Sequence, residues 1–232
     1  VTIFEVREKI GGILRYGIPE FRLPKSILDR YYTKMRELGM LFRPNFALGG
    51  SIGVNDLLKD GYDAVFIGTG TWRPRSMNIP GETYGNVHYG INYLNNPDVY
   101  DLGENVVVIG AGNAAMDVAR TAVRKGSQHV TVYSITETPA ASPKEVEYAK
   151  IDGVKFELLQ TAVEIRDDGV VICDVEWTEE GEMIKREETA RFVPADSIII
   201  SISQGPQDRI VNRDKELQVD DRGSPFPHLR MR

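Results

Sequence analysis

NVVVIGAGNAAMDVARTAVRKGSQHVTVYS, residues 105–134, decides the fold. The apolar run Val106–Ile109 predicts a strand buried on both faces. Gly110, Gly112 and Ala115 follow it in the spacing G-x-G-x-x-G/A. A helical stretch then leads into a second apolar strand, HVTVYS, residues 129–134. Strand, glycine turn, helix and strand, in that order, make a dinucleotide-binding βαβ unit. Gly110 permits the tight turn, Gly112 leaves room for a diphosphate to approach the backbone, and Ala115 lets helix and strand pack closely. The diphosphate is expected at the start of the helix, near Asn113. Amides there lack intrahelical acceptors, and the helix dipole favours negative charge.

The end of the second strand selects among dinucleotides. An acid there holds a free ribose diol, and an arginine accommodates a 2′-phosphate. Tyr133, Ser134 and Ile135 occupy that position, with no arginine and no acid before Glu137. Neither NADH nor NADPH is marked. Arg120 and Lys144 are expected as solvated surface residues, and Asp117 either reaches another domain or stands on the helix surface.

Outward from this unit, ASPKEVEYAKIDG, residues 141–153, predicts a helix with Ser142 as cap, Pro143 in its first position and Glu145 completing a capping box. VKFELLQ, AVEIRDD and GVVICDVEWTEEG then predict a small antiparallel layer. DSIIISISQG, residues 196–205, is a buried strand running to a glycine. The same pattern stands earlier. VTIFE at the start parallels VTVYS, and DAVFIGTG, residues 63–70, parallels DSIIISISQG as a buried strand entering a glycine turn. The first copy lacks the leading strand and glycine loop. We therefore expect a piece of a longer chain, with roughly 25 to 30 residues upstream of Val1. Glu5 ends the first strand, where an acid favours an unphosphorylated adenosine ribose.

Between the copies, PKSILDRYYTKMRELG, residues 24–39, predicts a helix whose stripe Ile27, Leu28, Tyr31, Met35 and Leu38 faces the core. A short strand follows around Met40–Phe42, and VHYGINYLNN, residues 87–96, predicts a short helix. Pro74, Pro80 and Gly81 mark an irregular crossing between domains. The expected fold is α/β: two Rossmann-like dinucleotide-binding domains, the second inserted in the first, with a small antiparallel layer and the first domain incomplete. The boundaries are 1–97, 98–208 and 209–232.

Composition narrows the function. A net charge of −6 gives no support for nucleic-acid binding. One cysteine, Cys173, cannot make an internal disulfide or supply a four-cysteine metal or iron–sulfur site. Without CxxC, a disulfide-reductase mechanism is disfavoured. His88, His129 and His228 are scattered, so no metal cluster is expected. GGSIG, residues 49–53, has the spacing of a hydrolase elbow around Ser51 but no partner histidine, and reads as a glycine-rich loop. No long apolar run or signal peptide is evident, so a cytoplasmic location without a membrane span is expected.

GGILRYGIPEFRLPK (residues 11–25), DAVFIGTGTWRPRSMNIPGE (63–82) and VVVIGAGNAAMDVARTAVRKG (106–126) together resemble the small subunit of glutamate synthase and related two-dinucleotide flavoproteins. The resemblance implies FAD contacts at Glu5, Gly11, Gly12, Thr69 and Gly70, with Leu14 and Arg15 along that cofactor. It implies that Asn113 and Ala114 meet NADPH or NADH and that Gly205 closes the second site, with Ser134 at the strand end as a further cofactor-binding candidate. NADPH-using members carry an arginine pair where VYSITETPAA stands here, which leaves NADH, dual use or reduced binding open. Such a protein moves hydride from NAD(P)H to FAD and electrons to a partner, the glutamate synthase large subunit or another iron–sulfur protein. No catalytic side chain is needed, because positioning supplies the effect. The alternatives are a nucleotide-binding or partner-docking module without turnover, and a reductase of the same fold with a different acceptor.

Overall fold

The computed structural model describes residues 1–50, 52–206 and 213. The chain divides into two compact units, the first holding residues 1–16 and 20–73 with Gln204 and Gly205, the second residues 17–19 and 74–203. In chain order the second is an insertion in the first. The expected boundary at 97/98 therefore moves to 73/74, and that at 208/209 to 203/204. The return segment 209–232, His228 and Ser51 lie outside the described residues, apart from Arg213.

The first unit comprises β1 (Thr2–Phe4), α1 (Gly12–Tyr16), α2 (Lys25–Glu37), β2 (Leu41–Arg43), α3 (Val54–Lys59) and β3 (Arg73–Pro74), whose second residue is already in the other unit. β1 and β2 pair in parallel, Thr2 opposite Leu41 and Phe4 opposite Arg43. Phe4 packs on Phe46 and Tyr62, with ring centroids 4.6 and 5.7 Å away. α2 starts after Pro24, and Gly39 (φ +86°) turns the chain from it into β2. Two expectations fail here. The stripe on α2 buries only Leu28, while Tyr31, Met35 and Leu38 are exposed. The segment 63–70 forms no strand, and Phe66 is 95 % exposed. Both failures have one cause. A strand and an apolar helix face need neighbours, and the described sheet of this unit is two strands wide.

The second unit comprises β4 (Val87–Tyr89), α4 (Gly90–Asn95), β5 (Asn105–Ile109), α5 (Asn113–Arg124), β6 (His129–Ser134), α6 (Pro143–Ile151), β7 (Lys155–Leu158), β8 (Gln160–Arg166), β9 (Gly169–Trp177), β10 (Met183–Pro194) and β11 (Ser197–Ile200). The two-residue β12 (Gln204–Gly205) pairs with β3. The main sheet is parallel, in the order β4-β11-β5-β6-β7. Period two sorts its side chains between two cores. Val106, Val108, Val130, Val132 and Ile199 face Ala115, Met116, Val118, Ala119 and Ala122 of α5. Val107, Ile109, Ile198 and Ile200 face Ala162, Ile165, Val170 and Ile172 of the antiparallel layer β10-β9-β8.

Several expectations are revised in this unit. Residues 87–96 hold a strand before their helix: β4 pairs with β11, and Tyr93 of α4 is fully buried in the helical core. That packing is why the unit begins ahead of residue 98. Residues 155–158 join the parallel sheet beside β6, and the antiparallel layer is completed instead by β10. Ser142 caps α6 by position only, since its side chain makes no capping hydrogen bond. The intended partner, Glu145, accepts from Arg120 Nη1 at 3.0 Å. A charge-assisted bond to a buried guanidinium outweighs one to a neutral amide.

Candidate functional site: the glycine turn between β5 and α5

β5 ends against its neighbours through backbone bonds. The Ser201 N–H donates to the Ile109 carbonyl (2.8 Å), and the Gly110 N–H donates to the Tyr133 carbonyl (2.9 Å). Gly110 has φ +110°, and a β-carbon on it would lie 2.4 Å from the Ser201 carbonyl oxygen. No side chain fits there, so the turn is as tight as the spacing predicts. Gly112 is the opposite case. It caps α5 in extended geometry (φ −82°, ψ 177°), and a β-carbon on it meets nothing within 4 Å. Its glycine is not required by backbone strain. What it preserves is open space in front of the helix.

α5 has no side-chain cap. Its first intrahelical bond closes from the Met116 N–H to the Gly112 carbonyl (3.1 Å). The amides of Asn113, Ala114 and Ala115 precede that bond, and the dipole of a 12-residue helix makes their surroundings electropositive. Ala115 is fully buried, as close packing of helix on sheet demands, while Asn113 is exposed. The next loop is laced to this turn. The Ala141 N–H donates to the Ala111 carbonyl (2.9 Å), and the Ser142 N–H donates to Asn113 Oδ1 (2.9 Å). The Asn113 tie is invisible to a motif reading, although the capping pattern at Ser142 does place a helix start there.

The corner after β6 closes the other side. Ser134 is 5 % exposed, and its hydroxyl lies 2.9 Å from that of Thr136. The Trp177 indole donates to the Ile135 carbonyl at 2.6 Å and pins the corner to β9. Burial first, then Glu157, pushes the Tyr133 phenol up against a smaller opposing effect of Arg191, so the ring stays neutral. Arg120 is buried at 7 % exposure rather than solvated. Its Nε donates to Asp152 (2.9 Å) and its Nη1 to Glu145, locking α5 to α6. Lys144 is exposed as expected, its ammonium 5.6 Å from the Tyr148 ring centroid. Asp117 is buried at 4 % exposure, not on the helix surface.

In the first unit Glu5 follows β1, and its carboxylate accepts from the Arg7 N–H at 3.0 Å. Gly11 (φ +126°) and Gly12 (φ +47°) turn the chain into α1. Leu14 is 44 % exposed, whereas the Arg15 guanidinium is tied to Asp29 and to the Ile10 carbonyl. Thr69 and Gly70 are exposed, with Gly70 at φ +71°. Gly205 is buried in β12. Among the described residues of this unit, no glycine turn leads a strand into a helix longer than six residues, apart from the proline-led α2. The described residues of this unit thus have an acid at the end of β1 and no glycine turn like that at Gly110 and Gly112. Among the described residues no group of side chains could hold a metal ion, and no helix is long and apolar enough to cross a membrane.

Comparison with known proteins places this geometry. The model of the pyridine nucleotide-disulphide oxidoreductase family matches residues 46–231. The glutamate synthase (NADPH) small chain of Halomonas elongata is 31 % identical over 246 residues, covering 96 % of this chain and 52 % of its own. The NADP(+)-dependent formate dehydrogenase subunit beta of Moorella thermoacetica is 38 % identical over 168 residues, covering 68 % of this chain and 24 % of its own. The chain thus spans about half the length of the first relative and about a quarter of the second. The solved structure of Mycobacterium tuberculosis FprA in complex with NADPH superposes with a TM-score of 0.79 at 18 % identity, covering 98 % of this chain and 68 % of that one.

Proposed function

Because the chain belongs to the pyridine nucleotide-disulphide oxidoreductase family, we propose that its second unit binds a nicotinamide dinucleotide with the diphosphate at the start of α5. We propose further that it serves an NAD(P)H-dependent flavoprotein oxidoreductase of the glutamate synthase small-subunit kind. The observation that carries this reading is the pairing of a turn where no side chain fits, at Gly110, with open space before uncapped helix amides, at Gly112.

The residues divide the work. The amides of Asn113, Ala114 and Ala115 hold the diphosphate, and Gly112 admits it. Ser134 lies beside the adenosine ribose. The Asn113–Ser142 and Ala111–Ala141 bonds fix the α6 loop against the turn, so the cradle is formed before the ligand arrives. When bound, a reduced nicotinamide supplies a hydride and a flavin accepts it. Among described residues, Glu5 is the side chain best placed for an FAD ribose, and Gly11, Gly12, Leu14, Arg15, Thr69, Gly70 and Gly205 are its proposed neighbours or those of the nucleotide. The described residues of the first unit do not make a diphosphate cradle, so no flavin step is assigned to them. The partner in this reading is an electron-accepting protein such as the glutamate synthase large subunit, and the location is cytoplasmic.

Titration of the full chain with NADH and with NADPH, followed by nicotinamide fluorescence and calorimetry, tests the reading. Saturable binding of at least one nucleotide, one per chain, is expected. Failure of both to bind at millimolar concentration would overturn it.

A further inference from the structure

We infer that the second unit takes the nicotinamide dinucleotide with a free adenosine 2′-hydroxyl, NADH, and discriminates against the 2′-phosphorylated form. This inference rests on the proposal that the Gly110–Gly112 turn binds such a nucleotide, and it concerns the corner Ser134–Thr138.

The corner is placed by backbone bonds. Gly110 donates to the Tyr133 carbonyl, so Ser134 stands one residue beyond the glycine turn, at the strand end that meets the adenosine ribose in units of this architecture. Its hydrogen bonding can be solved proton by proton. Thr136 Oγ1 lies 2.6 Å from the Thr138 carbonyl, which can only accept, so the single Thr136 hydroxyl proton goes there. Ser134 Oγ lies 2.9 Å from Thr136 Oγ1, and since Thr136 has no second proton to give, Ser134 is the donor of that bond. The Thr136 N–H in turn donates to Ser134 Oγ at 3.3 Å. Both hydroxyl protons and that amide are consumed within the corner, and what the two oxygens still offer is lone pairs.

A ribose hydroxyl has a proton to give to such an oxygen. A 2′-phosphate has none in its dianionic form, and it would set oxygen against oxygen. Nor do the neighbouring cations compensate. Arg120 is shared between Glu145 and Asp152, Arg124 is bound to Asp152, and Lys144 lies over the Tyr148 ring. The first charged side chain after β6 is Glu137, of the wrong sign. Ile135, 38 % exposed, stands where a cation would be needed.

Dissociation constants for NADH and NADPH, measured side by side on the full chain, test the inference. NADH is expected to bind roughly tenfold or more tightly than NADPH. Equal affinity, or tighter NADPH, would overturn the inference while leaving nucleotide binding at the turn intact. Binding of neither would overturn both. The variant Ile135→Arg, with folding checked by thermal melting, supplies the missing cation and is expected to raise NADPH affinity roughly tenfold with NADH little changed. An unchanged ratio in that variant would mean that this corner does not face the 2′ position.

Discussion

Gly112→Asp separates stability from binding at one position. Gly112 is already the cap of α5 in extended geometry, and the space around its missing β-carbon is empty to 4 Å. An aspartate fits there without strain. Its carboxylate can accept from the amides of Ala114 or Ala115 and complements the positive end of the helix dipole, while the loss of glycine removes freedom from the unfolded chain. Together these contributions stabilise the fold by roughly 1 kcal/mol, and the melting temperature should rise by roughly 2–4 °C. The same carboxylate takes the amides the diphosphate needs and places a negative charge against it. Loss of charge-assisted bonds and added repulsion should weaken nucleotide binding by roughly a hundredfold.

Gly110→Ala is the control with the opposite signature. Its φ of +110° and the 2.4 Å approach to the Ser201 carbonyl force a backbone shift. The cost is roughly 2–4 kcal/mol, a fall of roughly 5–15 °C. Circular dichroism melts and NADH fluorescence titrations on the two variants and the parent give the answer together. A Gly112→Asp protein that melted lower than the parent, or bound NADH equally well, would refute the assignment of this helix start as the anion site.

Two further outcomes are expected. Arg120→Ala removes the buried guanidinium that Glu145 and Asp152 share, so the urea midpoint should fall by the equivalent of roughly 3 kcal/mol. Burial raises the Glu82 carboxyl, but bonds from the Ser76 hydroxyl, the Met77 amide, the Tyr89 hydroxyl and the Asn78 amide prevail and hold its pKa below the usual carboxylate range. Its contribution is then complete above the unfolded value near about pH 4.3 and is lost as pH falls through the depressed folded value. Denaturation midpoints should drop on acidification there, and more shallowly in Glu82→Gln.

What the sequence disclosed tracks how local the determining physics is. The Gly110–Ala115 turn was legible because a tight turn, an open approach and a close helix contact each demand a small residue at a fixed spacing. Gly39 at the end of α2 and Pro143 at the start of α6 were legible for similar reasons. Arg120 was not. A long cation on a helix is ordinarily solvated, and the arrival of Glu145 and Asp152 from a helix 25 residues on makes its burial favourable. The same arrival dissolved the capping box, since Glu145 could not serve both Ser142 and Arg120. The Ser134–Thr136–Thr138 network was hidden for another reason. Hydroxyl-rich loops are common, and which proton goes where depends on distances that composition does not carry.

The two strand-like segments that match each other best show the limit most clearly. Residues 196–205, which hold β11, and residues 63–70 share an acid, an apolar run and a closing glycine. The first lies between β4 and β5, and Ile198, Ile199 and Ile200 are all but fully buried. The second forms no strand, and Phe66 projects at 95 % exposure. Local preference is nearly the same in both, so preference does not decide the outcome. A buried parallel strand needs a ladder on each edge and cover on each face. β5 supplies one of those edges in the second unit, and it is the strand that carries the glycine turn. The strand that ends in the glycine turn is thus also the one that completes the sheet, which is why Ser201 sits against Gly110 and why a side chain at Gly110 would damage the fold and the proposed site together.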